Sequence, residues 1–171
     1  MDEQRITVDG QELAYAQSEG QGRPVIFVHG NSSSSRTWDG IMAGPFGQRY
    51  RCLALDLPGH GDSAPAKNRE DYSLPGYAHV LTGFGQATDA TDAVVVGWSL
   101  GGHIALEAAP HLPAAAGGSA GRTSTTPVSS AAPVGPEGGR PATRGTPYMT
   151  YLLFRPGFYP GRAPEMQRAG K

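Results

Sequence analysis

Ala93-Val94-Val95-Val96-Gly97-Trp98-Ser99-Leu100-Gly101-Gly102-His103 is the stretch that decides the fold of this 171-residue chain. A short apolar run leads into Gly-x-Ser-x-Gly, and the helix-forming stretch Ile104-Ala105-Leu106-Glu107-Ala108-Ala109 follows it. Strand, sharp turn and helix are the setting of a nucleophile elbow, where a strained backbone projects a serine hydroxyl above the sheet edge. Gly97 and Gly101 lie two residues either side of Ser99, where any side chain would crowd the returning backbone. The pentapeptide alone carries little weight in a chain with 25 glycines; the strand before it and the helix after it supply the weight. A bare serine hydroxyl is a poor nucleophile, so the rest of the chain has to be read for an oxyanion site and a base.

Two further segments bear on the oxyanion site. Arg23-Pro24-Val25-Ile26-Phe27-Val28-His29-Gly30-Asn31-Ser32-Ser33-Ser34-Ser35 begins as a continuous apolar run, the pattern of a strand buried on both faces, and then opens into a polar loop. Such a loop can present a backbone N–H, that of Asn31, to a developing negative charge. Tyr50-Arg51-Cys52-Leu53-Ala54-Leu55-Asp56-Leu57-Pro58-Gly59-His60-Gly61-Asp62-Ser63 is another buried strand running into a tight Pro-Gly turn. His60 and Asp62 read as polar groups that stabilise this loop. The same segment holds Gly59-x-Gly61-x-x-Ala64, a faint dinucleotide fingerprint. Pro65 and the polar Lys67-Asn68-Arg69-Glu70-Asp71 do not make the phosphate-binding helix such a site requires.

Taken in order and interval, His29-Gly30-Asn31, Asp56-Leu57-Pro58-Gly59-His60-Gly61-Asp62-Ser63 and Gly97-Trp98-Ser99-Leu100-Gly101-Gly102 resemble the α/β-hydrolase superfamily over about residues 5–112. The resemblance implies Ser99 as nucleophile and the backbone N–H groups of Asn31 and Leu100 as oxyanion donors. Serine at the elbow argues against haloalkane dehalogenases and epoxide hydrolases, which carry aspartate there. It points to esterase-like or lipase-like acyl transfer, with carbon–carbon bond hydrolysis and perhydrolysis left open. The implied fold is α/β, a mostly parallel sheet with an antiparallel hairpin at its N-terminal edge. Arg5–Val8 and Glu12–Gln17 alternate around Asp9-Gly10 as that hairpin, and Val25–Val28, Cys52–Asp56 and Ala93–Val96 are the buried parallel strands. Thr37–Phe46 reads as a short helix stopped near Gly44-Pro45, and Tyr72–Phe84 as a helix interrupted in propensity by Pro75, Gly76 and Gly83.

The base is harder to find. In the superfamily the order is Ser, then Asp or Glu, then His. After Ser99 only Glu107, Glu137 and Glu165 remain as acids, and only His103 and His111 as histidines. His103 sits four residues after Ser99 on the same helix face, but that helix runs back beneath the sheet, so His103 is a poor candidate base and His111 a poorer one.

From Pro113 to Pro147 the only large apolar residues are Val128 and Val134, in a Gly-, Pro-, Ala-, Ser-, Thr- and Arg-rich tail that cannot offset its ordering entropy by burial. Net charge reverses from −6 over residues 1–111 to +5 over 112–171. Scattered arginines do not make a nucleic-acid patch; the tail resembles guanine- and cytosine-rich coding sequence read out of frame. Residues 1–112 are therefore expected to be the N-terminal part of a hydrolase domain, and 113–171 a low-complexity tail without a domain of its own. The cluster Tyr148-Met149-Thr150-Tyr151-Leu152-Leu153-Phe154 is the local exception, either docked on the sheet edge or forming one short helix.

Composition bounds the remainder. The single cysteine, Cys52, excludes an internal disulfide and fits a reducing compartment. No signal peptide or membrane-spanning run is visible, so the expected location is cytoplasmic. No Cys/His spacing suggests a metal, and no cofactor is expected. The expected function is acyl transfer to water from a small ester-like molecule, weakened by the missing base, with neither nucleic acid nor membrane as partner. The competing reading is a non-catalytic, truncated fragment or interaction module that self-associates through an uncovered Ala93–Val96 edge.

Overall fold

The computed structural model describes residues 2–112 and 151–154. Six strands form one mixed sheet: β1 Asp2–Val8, β2 Gln11–Gln17, β3 Gly22–Val28, β4 Tyr50–Leu55, β5 Val94–Trp98 and β6 Tyr151–Phe154, in the order β1-β2-β4-β3-β5-β6. β1 and β2 form the hairpin expected from their alternation, and β2 pairs antiparallel with β4. Its turn residues, Asp9 and Gly10, both take positive φ (49° and 76°), the twist-matched geometry of a two-residue hairpin. β3 pairs parallel with β4 on one side and with β5 on the other.

The continuous apolar runs of the three parallel strands follow from burial on both faces. Ile26, Val28, Leu53, Leu55 and Val95 point into one core, and Val25, Phe27, Cys52, Ala54 and Val96 into the other. Connections between strands fill these two faces unequally. The chain after β3 forms a 3₁₀ turn at Ser35–Trp38, then α1 (Asp39–Met42) and α2 (Pro45–Arg49), and its Trp38 and Met42 cover the second core. The single helix expected over Thr37–Phe46 is thus several short pieces. Pro45 begins the last of them rather than stopping a longer one, because a first-turn proline lacks only an N–H that would go unpaired there.

The opposite face carries α3 (Leu74–Ala87) and α4 (Leu100–Ala108). In α3, Tyr77, Ala78, Val80, Leu81 and Phe84 recur at helical spacing and are buried, with the Tyr15 ring edge-on to Phe84 at 5.1 Å. Pro75 is tolerated because it falls in the first turn, where Ser73 caps the helix by accepting from Gly76 N–H at 3.2 Å. Among the described residues, no helix is long and apolar enough to cross a membrane.

One expectation needs correction. Ala93–Val96 is not left as an uncovered edge: β6 pairs antiparallel along β5, with Val95 opposite Phe154 and Trp98 opposite Tyr151. Of the two placements open to the Tyr148–Phe154 cluster, the sheet edge is the one adopted by residues 151–154. Val95, Val96 and Gly97 therefore face a strand on each side, and β6 rather than β5 is the outer strand of the sheet at this end. The remaining readings of the tail concern 113–150 and 155–171, which lie outside the described residues.

Candidate active site

The topology sets where a site can form. β3 and β5 are adjacent and parallel, but the helices that follow them go to opposite faces of the sheet. Trp38 and Met42 lie over one core and Ile104, Ala105 and Ala108 over the other. In open α/β sheets, ligands bind outside the carboxyl ends of two strands whose connections diverge in this way. The loop at Gly30–Ser34 and the turn at Ser99 meet there.

Ser99 lies between the end of β5 and the start of α4, with φ 52° and ψ −115°, in the left-handed half of backbone space that a non-glycine residue enters at a cost of roughly 1–3 kcal/mol. Ser99 is exposed although Gly97, Gly101 and Gly102 around it are buried. The two elbow glycines are required by contact distance. A Cβ on Gly97 would meet the backbone of Gly101 and come 2.6 Å from Gly102 N, and one on Gly101 would meet Val28 O and come 2.7 Å from His29 O. The start of α4 is thus pressed directly onto the end of β3, which brings the elbow against the loop after β3. At Gly30 an added Cβ would stand 3.3 Å from Ser99 Cβ and 3.2 Å from the Trp98 ring.

Asn31 is exposed in the turn that follows Gly30, and Leu100, half-buried, is the first residue of α4. A first-turn N–H has no partner within its own helix. Ser99 O accepts from Gly102 N–H at 2.9 Å and from His103 N–H at 3.3 Å, so the turn closes on the serine carbonyl and leaves the hydroxyl outside. His103 is exposed, and its Nδ1 lies 3.0 Å from Ser99 O; the contact is to the backbone carbonyl, not to Oγ. His111 and Glu107 line a cleft of about 240 Å³ with His79, Thr82, Ala78 and Pro75, on the α3–α4 side. Among the described residues, no histidine hydrogen-bonds Ser99 Oγ, and no cluster of three His, Cys, Asp or Glu side chains could hold a metal ion.

Two buried polar residues matter more than their sequence context suggested. Asp56, 2% exposed, accepts from Ser35 N–H at 2.6 Å and from Asp62 N–H at 2.9 Å, tying the loop after β3 to the loop after β4. His29, fully buried, accepts from Leu57 N–H through Nε2 at 3.1 Å. That bond places the ring proton on Nδ1, which donates to Gly30 O at 2.7 Å. Burial lowers the His29 pKa below the usual histidine range, His60 adds to the lowering, and the Gly30 bond and Asp56 oppose it. His60 and Asp62 stabilise the loop, as their setting implied: His60 Nδ1 donates to Pro58 O at 3.1 Å, and the Asp62 backbone N–H is one of the two held by Asp56. The visible signal for Asp56 and His29 was a polar residue ending an apolar run.

Comparison with known proteins agrees with this geometry. The model of the alpha/beta hydrolase family matches residues 25–170. A pimeloyl-[acyl-carrier protein] methyl ester esterase of Nitrosospira multiformis is 34% identical over 105 residues, covering 61% of this chain and 40% of that protein. A haloalkane dehalogenase of Mesorhizobium japonicum is 32% identical over 111 residues, covering 64% of this chain and 34% of that protein. Among solved structures, an N-acyl homoserine lactonase complexed with N-hexanoyl homoserine superposes with a TM-score of 0.64 at 40% identity, over 66% of this chain and 41% of that one. The matched stretch is thus 34% to 41% of the length of these relatives. An exposed serine in a strained strand-to-helix turn, beside a polar loop and within a sheet of this order, agrees with the family match: the chain belongs to the alpha/beta hydrolase family.

Proposed function

We propose that this chain carries the nucleophile and the oxyanion donors of a serine hydrolase acting on small esters or lactones. The observation that carries the reading is Ser99 itself, exposed at φ 52° and packed against Gly30. Ser99 Oγ would attack the substrate carbonyl carbon and form an acyl–oxygen bond, while the Asn31 and Leu100 N–H groups hold the resulting oxyanion. The alkoxide leaves with a proton, and water then releases the acid. Serine at the elbow favours the chemistry of the esterase and lactonase relatives over that of the dehalogenase.

Turnover by this chain is weak in this reading, because no histidine among the described residues touches Ser99 Oγ. Loss of the base in such a site costs on the order of a millionfold, leaving what the oxyanion donors and binding contribute. The non-catalytic alternative would have to pair through β6, which covers β5 and is the outer strand of the sheet at that end. The test is p-nitrophenyl butyrate hydrolysis at enzyme concentrations high enough to see one turnover. Slow release of p-nitrophenol, abolished in Ser99→Ala, is the expected result. Equal release by both proteins would overturn the assignment.

A further inference from the structure

His29 holds the loop after β3 through two opposed hydrogen bonds, and together they fix a peptide plane beside the nucleophile. Leu57 N–H donates to Nε2, so Nδ1 carries the proton and pulls the Gly30 carbonyl toward the ring at 2.7 Å. The described peptide bonds include no cis bond, so the N–H of Asn31 points opposite to the Gly30 carbonyl. Strand order gives that direction a meaning. β3 lies between β4 and β5. The His29 ring is on the β4 side, bonded to Leu57 and 5.1 Å from the His60 ring. Gly30 abuts Trp98 and Ser99 on the β5 side. Drawing the carbonyl toward β4 therefore turns the Asn31 N–H toward Ser99.

We infer that His29 is a positioning residue: its neutral, Nδ1-protonated imidazole locks the Gly30–Asn31 peptide with the Asn31 N–H turned to the nucleophile. The consequence for catalysis rests on the reading of Asn31 as an oxyanion donor; the peptide orientation does not. An unlocked peptide could rotate and present its carbonyl instead, replacing a donor with a negative dipole where negative charge develops. Ser32, next in the turn, is itself at φ 55°, so this turn already holds a conformation that a freely jointed loop would leave. The outer link is equally defined. Asp56 holds Ser35 N–H at the far end of the same loop, so both ends of the turn are tied to the segment after β4.

The two ring nitrogens do different work, and two substitutions separate them. In His29→Asn the amide nitrogen takes the place of Nδ1 and keeps a donor for Gly30 O, while losing the acceptor for Leu57. In His29→Gln the longer side chain reaches the place of Nε2 and keeps the link to Leu57, while losing the donor. A residue that merely ties two loops together would tolerate Gln at least as well as Asn; a residue that orients Asn31 requires Asn.

The first readout is NMR on the full chain and needs no hydrolysis. Nitrogen-15 spectra of the unsubstituted protein should show His29 protonated at Nδ1 and bare at Nε2. The Asn31 amide resonance should stay in place in His29→Asn and move in His29→Gln. The second readout is the second-order rate of Ser99 labelling by a fluorophosphonate. It is expected to fall about 10²- to 10³-fold in His29→Gln, the loss typical of one oxyanion donor, with His29→Asn remaining close to the unsubstituted rate. A ring protonated at Nε2, or equal labelling losses in the two variants, would overturn the inference. Should both variants fail to fold, the unsubstituted protein still tests the inference, because a ring protonated at Nε2 would overturn it. If Ser99 fails to label while the ring and amide spectra are as expected, the hydrolase reading falls and the peptide lock stands.

Discussion

Replacing Gly101 by alanine sets two effects of opposite sign against each other. Gly101 lies in the first turn of α4, where alanine is the better helix former by about 0.8–1.0 kcal/mol. Against this, the new Cβ would fall on the carbonyl oxygens of Val28 and His29. Val28 ends β3, which is paired on both sides, and His29 follows it directly, so these atoms cannot retreat without disturbing the sheet. Overpacking against such a neighbour costs about 1–3 kcal/mol, occasionally more, and should outweigh the propensity gain. Gly40→Ala is the internal control. It lies in α1 with no atom within 4 Å of a new Cβ, so it should gain about 0.4–1 kcal/mol. Urea unfolding of the three proteins, at matched slope, measures the difference directly. Gly101→Ala should be the least stable and Gly40→Ala the most. A Gly101→Ala protein as stable as the unsubstituted chain would refute the claim that α4 is pressed onto β3, and with it the argument that places Ser99 beside Gly30.

Other consequences can be checked with the same preparations. Asp56→Ala leaves the Ser35 and Asp62 N–H groups without their acceptor, and should cost on the order of 2–5 kcal/mol in urea unfolding at neutral pH. Asp56→Asn, which keeps one carbonyl oxygen, should lie between. His29 has a folded pKa below its unfolded value, so the unfolded chain takes up the proton first as the solution is acidified. Its contribution to stability is therefore intact above about pH 6.5 and declines as the pH falls toward the folded pKa, a decline that His29→Asn should lack in pH-dependent melting. Phe84→Ala empties the position against Tyr15 and should cost about 3–5 kcal/mol in the same denaturation assay. Cys52 is buried, and its thiol pKa is raised by that burial, so it should react with a thiol reagent only after denaturant is added.

The sheet centre was legible in the sequence because its signal is local. Val25–Val28, Leu53–Leu55 and Val95–Val96 are apolar without alternation, and burial on both faces is the reason. The Asp9-Gly10 turn and the elbow glycines were legible because only particular residues fit those backbones. The extent of α3 was partly hidden by Pro75, whose harmlessness depends on its falling within the first turn after Ser73. The split between α1 and α2 was hidden for a related reason: a Gly-Pro pair that ends one helix also begins another. Least legible were the partners of His29 and Asp56. Leu57 is 28 residues from His29, and Ser35 is 21 residues from Asp56, so only the β3–β4 pairing brings each pair together. Nothing in the local pattern of either polar residue names its partner. The same holds for β6, which reaches β5 from far along the chain and turned an expected open edge into a paired strand.

The central claim is that Ser99 is a nucleophile built into the elbow, and intact-mass analysis after fluorophosphonate treatment tests it most directly. The expected result is a single adduct that maps to Ser99 and is absent in Ser99→Ala. No adduct on the unsubstituted chain, or the same adduct in both proteins, would contradict the claim.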